Sequence, residues 1–255
     1  MYRRRQPRDP ATRFFVAACV AIFVLQLLVG RSWYRVEEVF GLSSEGLRDG
    51  EFWQLVTYQF LHANELHIFV NMLALWFAGR ELEPVVGTPR FVLLYLVGGI
   101  VGGLAQIVFS SGPLIGASAS VCAVLLTLTT LFPQLPVTAL IFFVLPLRMK
   151  ARTLGFALVG ITILTWISGL MPEVGHLAHL GGFATGAVFG LIYRGRLGEG
   201  GNFFAPAPPL PRDGDASPSL LTLDDVVAKM MRRGIESLTR DELRILESRP
   251  RRRRL

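Results

Sequence analysis

Hydrophobic and polar positions alternate along this chain in long blocks, not with the short periods of a soluble helix or strand. Residues 14–30 form a long apolar run. Residues 31–65 are mixed in charge and rich in aromatics, too polar to cross a bilayer, and read as a long loop with room for interfacial helices. Apolar runs follow at 66–79, 91–109, 118–132, 154–170 and 176–193. A run of roughly 20 apolar residues is what a helix needs to cross the hydrocarbon core, so with their flanks these six blocks predict six transmembrane helices. Residues 137–145 are apolar but short and bracketed by Pro136 and Pro146, which predicts an interfacial or re-entrant segment. The expected fold class is an all-α membrane protein, a six-helix bundle.

Charge gives the bundle a direction. The net charge is +7, and lysine occurs only at Lys150 and Lys229, so the cations are almost all arginine. They collect at the N-terminus, at Arg80 and Arg90, at Arg148 to Arg152, and after Arg194. Basic loops stay on the cytoplasmic side, so both termini are expected there, as in a bacterial inner membrane. This placement beside apolar runs argues against nucleic acid as a partner. Cys19 and Cys122 both lie in apolar runs and form neither a disulfide framework nor a metal motif.

Four parts follow: a basic N-terminus at 1–13, the membrane domain at 14–194, a Pro/Gly-rich linker at 195–221, and a helical tail at 222–255 with a basic end. Within the tail, Thr239 and Glu242 have the spacing of a capping box.

Polar side chains inside apolar spans are costly, and each is a candidate functional group. With the termini inside, the second, fourth and sixth spans enter from the outer face. His67 and Asn71, Ser118, and His179 then lie roughly 5–10 Å below that face, at about 1.5 Å of rise per residue. Alone, a serine in a membrane helix is usually a packing residue or bonds back to its own helix. Together, a hydroxyl and a base at one depth are what nucleophilic catalysis requires. Small residues at Ala178, Gly182, Gly186 and Gly190, with Ala119 and Ala123, let the two helices approach closely. His67 and Asn71 share a helix face; they read either as donors to an oxyanion or as a structural network. His62 reads as structural. No acid lies in the spans at this depth, which favours a Ser-His dyad over a triad.

These pieces, in this order, resemble the rhomboid intramembrane serine proteases. Gly116-Ala117-Ser118-Ala119 is similar to the nucleophile motif, Ala178-His179-Leu180-Gly181-Gly182 to the base motif, and His67-Ile68-Phe69-Val70-Asn71 to the His-x-x-x-Asn motif. Phe60-Leu61-His62-Ala63 and Gly79-Arg80-Glu81-Leu82-Glu83 match too. The resemblance implies Ser118 as nucleophile, His179 as general base, and His67, Asn71 and the backbone from Gly116 to Ser118 as oxyanion or substrate-positioning groups. It implies a serine endopeptidase acting on single-span membrane proteins, with no cofactor and no metal. The sequence departs from the family at Ala119, at Trp53-Gln54 in place of Trp-Arg, and at Cys122 in place of an aromatic. The rival readings are an inactive rhomboid-like scaffold that binds single-span proteins, and a small transporter relaying protons through His67 and His179.

Overall fold

A computed structural model describes residues 9–30, 33–109, 113–141 and 145–197, together with Thr239 and Glu242. The long helices stand where the apolar blocks predict them: α1 Pro10–Val29, α5 Glu65–Val86, α6 Thr88–Ile107, α7 Ser118–Leu131, α8 Ala151–Ile167 and α9 His176–Leu197. The first long loop carries three short helices, α2 Trp33–Phe40, α3 Ser44–Arg48 and α4 Gln54–Thr57, then a 3₁₀ turn at Tyr58–Phe60. The loop expectation therefore holds.

One expectation changes. The short apolar segment between Pro136 and Pro146 is part of an antiparallel hairpin, β1 Pro136–Ile141 with β2 Leu145–Lys150, in register from Pro136 opposite Lys150 to Ile141 opposite Leu145. Two adjacent extended segments satisfy each other's backbone groups, which a lone re-entrant stretch of that length could not do.

The outer faces of the long helices are apolar, unlike those of a soluble protein. Outward faces carry Leu28 at 77% exposure, Phe156 at 78% and Ile167 at 75%, while Gln54, Gln59, His62, Glu83 and Ser120 are fully buried. An apolar outer surface is what a lipid solvent demands, and of these buried side chains Gln54, Gln59, Glu83 and Ser120 are hydrogen-bonded. By length and composition, α1 and α6 are each apolar enough to cross a membrane, and α7 and α8 are shorter apolar helices.

Two buried side chains fix the frame. Glu83, near the end of α5, accepts hydrogen bonds from Ala11 N (3.0 Å), Thr12 N (2.8 Å), Thr12 Oγ1 (2.8 Å) and Thr88 Oγ1 (2.8 Å). It thereby supplies the N-terminal cap that α1 lacks locally, since Asp9 makes no side-chain cap bond. The sequence alone ends the second span near Gly79; α5 runs on to Val86 because Glu83 is needed there, inside. Gln54 does local work. Its Oε1 accepts from Ser43 N (3.0 Å), and its Nε2 donates to Glu51 Oε2 (2.6 Å). Trp53 Nε1 donates to the Val39 carbonyl (2.9 Å). The pair knits α2, α3 and α4 together.

The chain divides into two units, Met1–Gly201 and Asn202–Leu255. In the second, the predicted capping box is present: Thr239 N donates to Glu242 Oε2 (2.7 Å) and Glu242 N to Thr239 Oγ1 (3.4 Å). The rest of the predicted linker and tail helix lies outside the described residues, apart from 195–197, which continue α9.

Candidate active site

α7 and α9 meet through backbone. A Cβ added at Gly182 would overlap the Ala119 carbonyl oxygen, and one at Gly186 would overlap that of Ala123. The two pairs keep the same offset in sequence, so the helices run parallel. α6 runs against both: Gly102 faces Ala119 and the Ala178 carbonyl, Gly98 faces Ala123, and Gly181 lies against the Gly102 backbone. Thr127 Oγ1 bonds across the seam to the Gly186 carbonyl (3.0 Å). The small-residue stripe predicted from sequence is thus the surface on which three helices touch.

That register sets the site. With Ala119 level with Gly182, the turn from Gly116 to Ser118 comes level with His179, which lies in the first turn of α9. Gln106 on α6 fixes this turn: its Oε1 accepts the N–H groups of Leu177 (3.0 Å) and Ala178 (3.2 Å). The His179 N–H donates to the Gly175 carbonyl (3.0 Å). His176 secures the approach, with Nε2 3.1 Å from the carbonyls of Leu170 and Met171. Ser118 and His179 are both half-buried. Among the described residues their side chains are not hydrogen-bonded to each other; such bonds often tighten only when substrate arrives.

The third element arrives from α5. Asn64 caps this helix, its Oδ1 accepting from His67 N (2.9 Å), and so places His67 in the first turn. The His67 ring lies on Gly116: a Cβ there would stand 2.6 Å from Cε1 and 2.8 Å from Nε2. Gly116 has φ +128°, a backbone region that a side chain would resist. Both facts require glycine. His67 Nδ1 accepts from Ala63 N (3.4 Å), which assigns the ring proton to Nε2, on the Gly116 side. Asn71, one turn on and buried, gives one N–H to the His67 carbonyl (2.8 Å) and keeps a second. The structure therefore brings together His67, Gly116, Ser118 and His179 at one level, with Asn71 a turn deeper.

His62 is fully buried beside this group. Its ring meets the His67 ring edge-on, with centroids 5.2 Å apart, and neither ring nitrogen has a hydrogen-bond partner. Its backbone is held by Gln26 on α1, whose Nε2 donates to the His62 carbonyl (2.8 Å) and whose Oε1 accepts its N–H (3.0 Å). Burial, aided by the charge of nearby His67, pushes the His62 imidazole down to about 4. Cys122 is buried on α7. Among the described residues no cluster of His, Cys, Asp or Glu has the makings of a metal site.

Two residues near Ser118 were not singled out by sequence reasoning, Gln59 and Ser120. The signal was present, since Gln59 is a polar residue in the apolar run from Tyr58 to Leu61.

Comparison with known proteins places this geometry. The rhomboid domain model matches residues 49–196. The chain is 34% identical over 196 residues to the rhomboid protease GluP of Bacillus subtilis, covering 74% of this chain and 36% of that protein. It is 32% identical over 175 residues to RHOMBOID-like protein 1 of Arabidopsis thaliana, covering 65% and 41%. It is 30% identical over 125 residues to the rhomboid protease GlpG of Yersinia pestis, covering 48% and 43%. The chain belongs to the rhomboid family and is an integral membrane protein. It spans less than half the length of these relatives.

Proposed function

We propose that the chain is an intramembrane serine endopeptidase that hydrolyses peptide bonds in or beside the membrane-spanning segments of single-span proteins. The observation that carries this is the parallel register of α7 and α9, sealed by Gly182 on Ala119, with the His67 ring seated on Gly116.

The chemistry follows from the placement. His179 removes the proton from Ser118 Oγ as the oxygen attacks the scissile carbonyl. The oxyanion that forms is met by His67 Nε2–H, the free N–H of Asn71 and the unpaired N–H groups at the start of α7. His179 then gives its proton to the departing amine, and water, activated by the same ring, releases the acyl group. The substrate backbone must leave its helix first, because in a helix each carbonyl is already bonded within the segment. Residues that unwind readily therefore set preference. No metal or organic cofactor has a role in these steps.

The same reading places six spans across the bilayer, both termini in the cytoplasm, and the tail beyond residue 194 on that side, as in a bacterial inner membrane. α7 has 14 residues and is about 21 Å long at 1.5 Å per residue, shorter than a hydrocarbon core of about 30 Å. A helix that begins below the outer surface puts Ser118 inside the bilayer yet within reach of water.

The test is cleavage of a single-span reporter by purified protein in liposomes. Wild type cuts, and Ser118→Ala and His179→Ala are silent while folded. Cleavage by Ser118→Ala at the wild-type rate overturns the assignment. A folded wild-type protein that neither cuts nor reacts with a fluorophosphonate at Ser118 supports the inactive scaffold instead.

A further inference from the structure

The step Tyr58–Gln59 reaches the nucleophile turn from both sides. The Tyr58 carbonyl accepts the Gly116 N–H at 2.9 Å, two residues before Ser118. Gln59 Oε1 accepts the Ser120 hydroxyl at 2.8 Å, two residues after it. Gln59 Nε2 is directed to the carbonyls of Leu55 (2.8 Å) and Leu96 (3.4 Å). Both Gln59 and Ser120 are fully buried. α6 makes room for them at Gly99, where an added Cβ would overlap the Gln59 amide, and the Gly99 carbonyl receives the Tyr58 hydroxyl at 2.6 Å.

An amide in a dry interior is costly unless bonded, and a methionine or leucine would fill the same space more cheaply. Packing alone therefore does not account for glutamine here. Nor does helix formation account for Ser120, whose hydroxyl could bond back to its own helix and instead bonds across to the first loop. Ser118 and Ser120 are separated by about 200° around the helix at 3.6 residues per turn. Pinning Ser120 on one side fixes the rotation of α7, and with it the direction of the Ser118 hydroxyl on the other. A side-chain oxygen lies roughly 4 Å from the helix axis, outside the Cα cylinder of about 2.3 Å, so a rotation of roughly 15° moves it by about 1 Å.

We infer that Gln59 and Ser120 are a positioning pair for the nucleophile: their hydrogen bond sets the rotation of α7 that aims Ser118 at the base. This rests on Ser118 being the nucleophile, as proposed above. It gives the first loop a direct mechanical hold on the reacting hydroxyl, additional to the backbone bond at Gly116.

The experiment uses the full chain in liposomes with the reporter, comparing wild type, Ser120→Ala, Gln59→Met, the double variant and Ser118→Ala, with thermal melting recorded for each. Ser120→Ala removes one hydroxyl and is the decisive variant should Gln59→Met fold poorly. The expected result is a fall in kcat of roughly ten- to a hundredfold for each single variant, the scale of a small misplacement of reacting atoms. KM stays unchanged, because substrate binding is not touched. The double variant falls no further than either single one, because both remove the same bond. Wild-type kcat in Ser120→Ala, with Ser118→Ala silent, overturns the positioning role and leaves the nucleophile assignment standing. Losses that simply multiply in the double variant overturn the pair. Cleavage by Ser118→Ala overturns the nucleophile and this inference with it.

Discussion

Where α9 meets the first half of α7, at Gly182 and Gly186, glycine stands against backbone; where α8 meets α7, at Gly155, glycine stands against a side chain. Gly182 and Gly186 face the carbonyl oxygens of Ala119 and Ala123, whereas Gly155 on α8 faces Thr129 Oγ1, where a Cβ would come within 2.7 Å, and Leu126 Cδ1 at 3.3 Å. α7 is buried along most of its length, while α8 buries only Ala151, Gly155 and Thr162 among its described side chains. Backbone cannot move without unseating a helix, but a side chain can turn. The difference separates a rigid platform that carries Ser118 and His179 from a helix held at its flank by a few replaceable contacts.

The comparison breaks most visibly at Gly182. In an exposed helix, alanine for glycine stabilises by about 1 kcal/mol. At Gly182 the added methyl meets the Ala119 backbone, and overpacking of this kind costs typically 1–3 kcal/mol and occasionally more. Gly182→Ala is expected to lose stability on balance and, on the proposed function, to lower the cleavage rate on the order of a hundredfold, since α7 and α9 are forced apart at the level of Ser118 and His179. Thermal melting and reporter kinetics measure both. A variant as stable and as active as wild type would mean that the seam is not a rigid platform.

Much of this platform was legible before the fold was known. The stripe from Ala178 to Gly190 was visible because four-residue spacing survives any helix rotation, and the depth of His67, Ser118 and His179 followed from apolar block lengths. Gly116 was legible only as part of a motif; its reason, the His67 ring above it, is a contact between distant segments. The Gln59–Ser120 bond and the cap that Glu83 makes for α1 were not legible, since each depends on which helix lies alongside. The hairpin at Pro136–Lys150 was missed for another reason: apolar strands and short apolar helices look alike by hydropathy, and pairing decides between them.

A second effect sharpens the same comparison through pH. The platform side is too dry to charge His62, whose imidazole is held down to about 4 against an ordinary 6.5. The unfolded chain therefore binds this proton first, and stability falls as pH drops from about 6.5 to about 4. His62→Leu should flatten that part of the stability profile, while stability near pH 8 changes little because the neutral ring makes no hydrogen bond there. Melting temperatures across the range decide it. An unchanged acid slope would show that other groups carry the titration.

The smallest effect is expected at Gly155, and it is the control for the largest. Gly155→Ala makes the same chemical change as Gly182→Ala, also inside a helix. Its methyl meets Thr129 Oγ1, which is bonded only to the Leu126 carbonyl of its own helix at 3.2 Å. Thr129 can change rotamer, at a cost of order 0.5–1.5 kcal/mol for a strained side chain, against the gain of about 1 kcal/mol from alanine in a helix. The net change in stability should lie near zero, and the dyad, carried by α7 and α9, should keep its rate. If Gly155→Ala instead abolishes cleavage as thoroughly as Gly182→Ala, then α8 is as much a part of the platform as α9. The division between a rigid pair and a loosely held neighbour would then have to be given up.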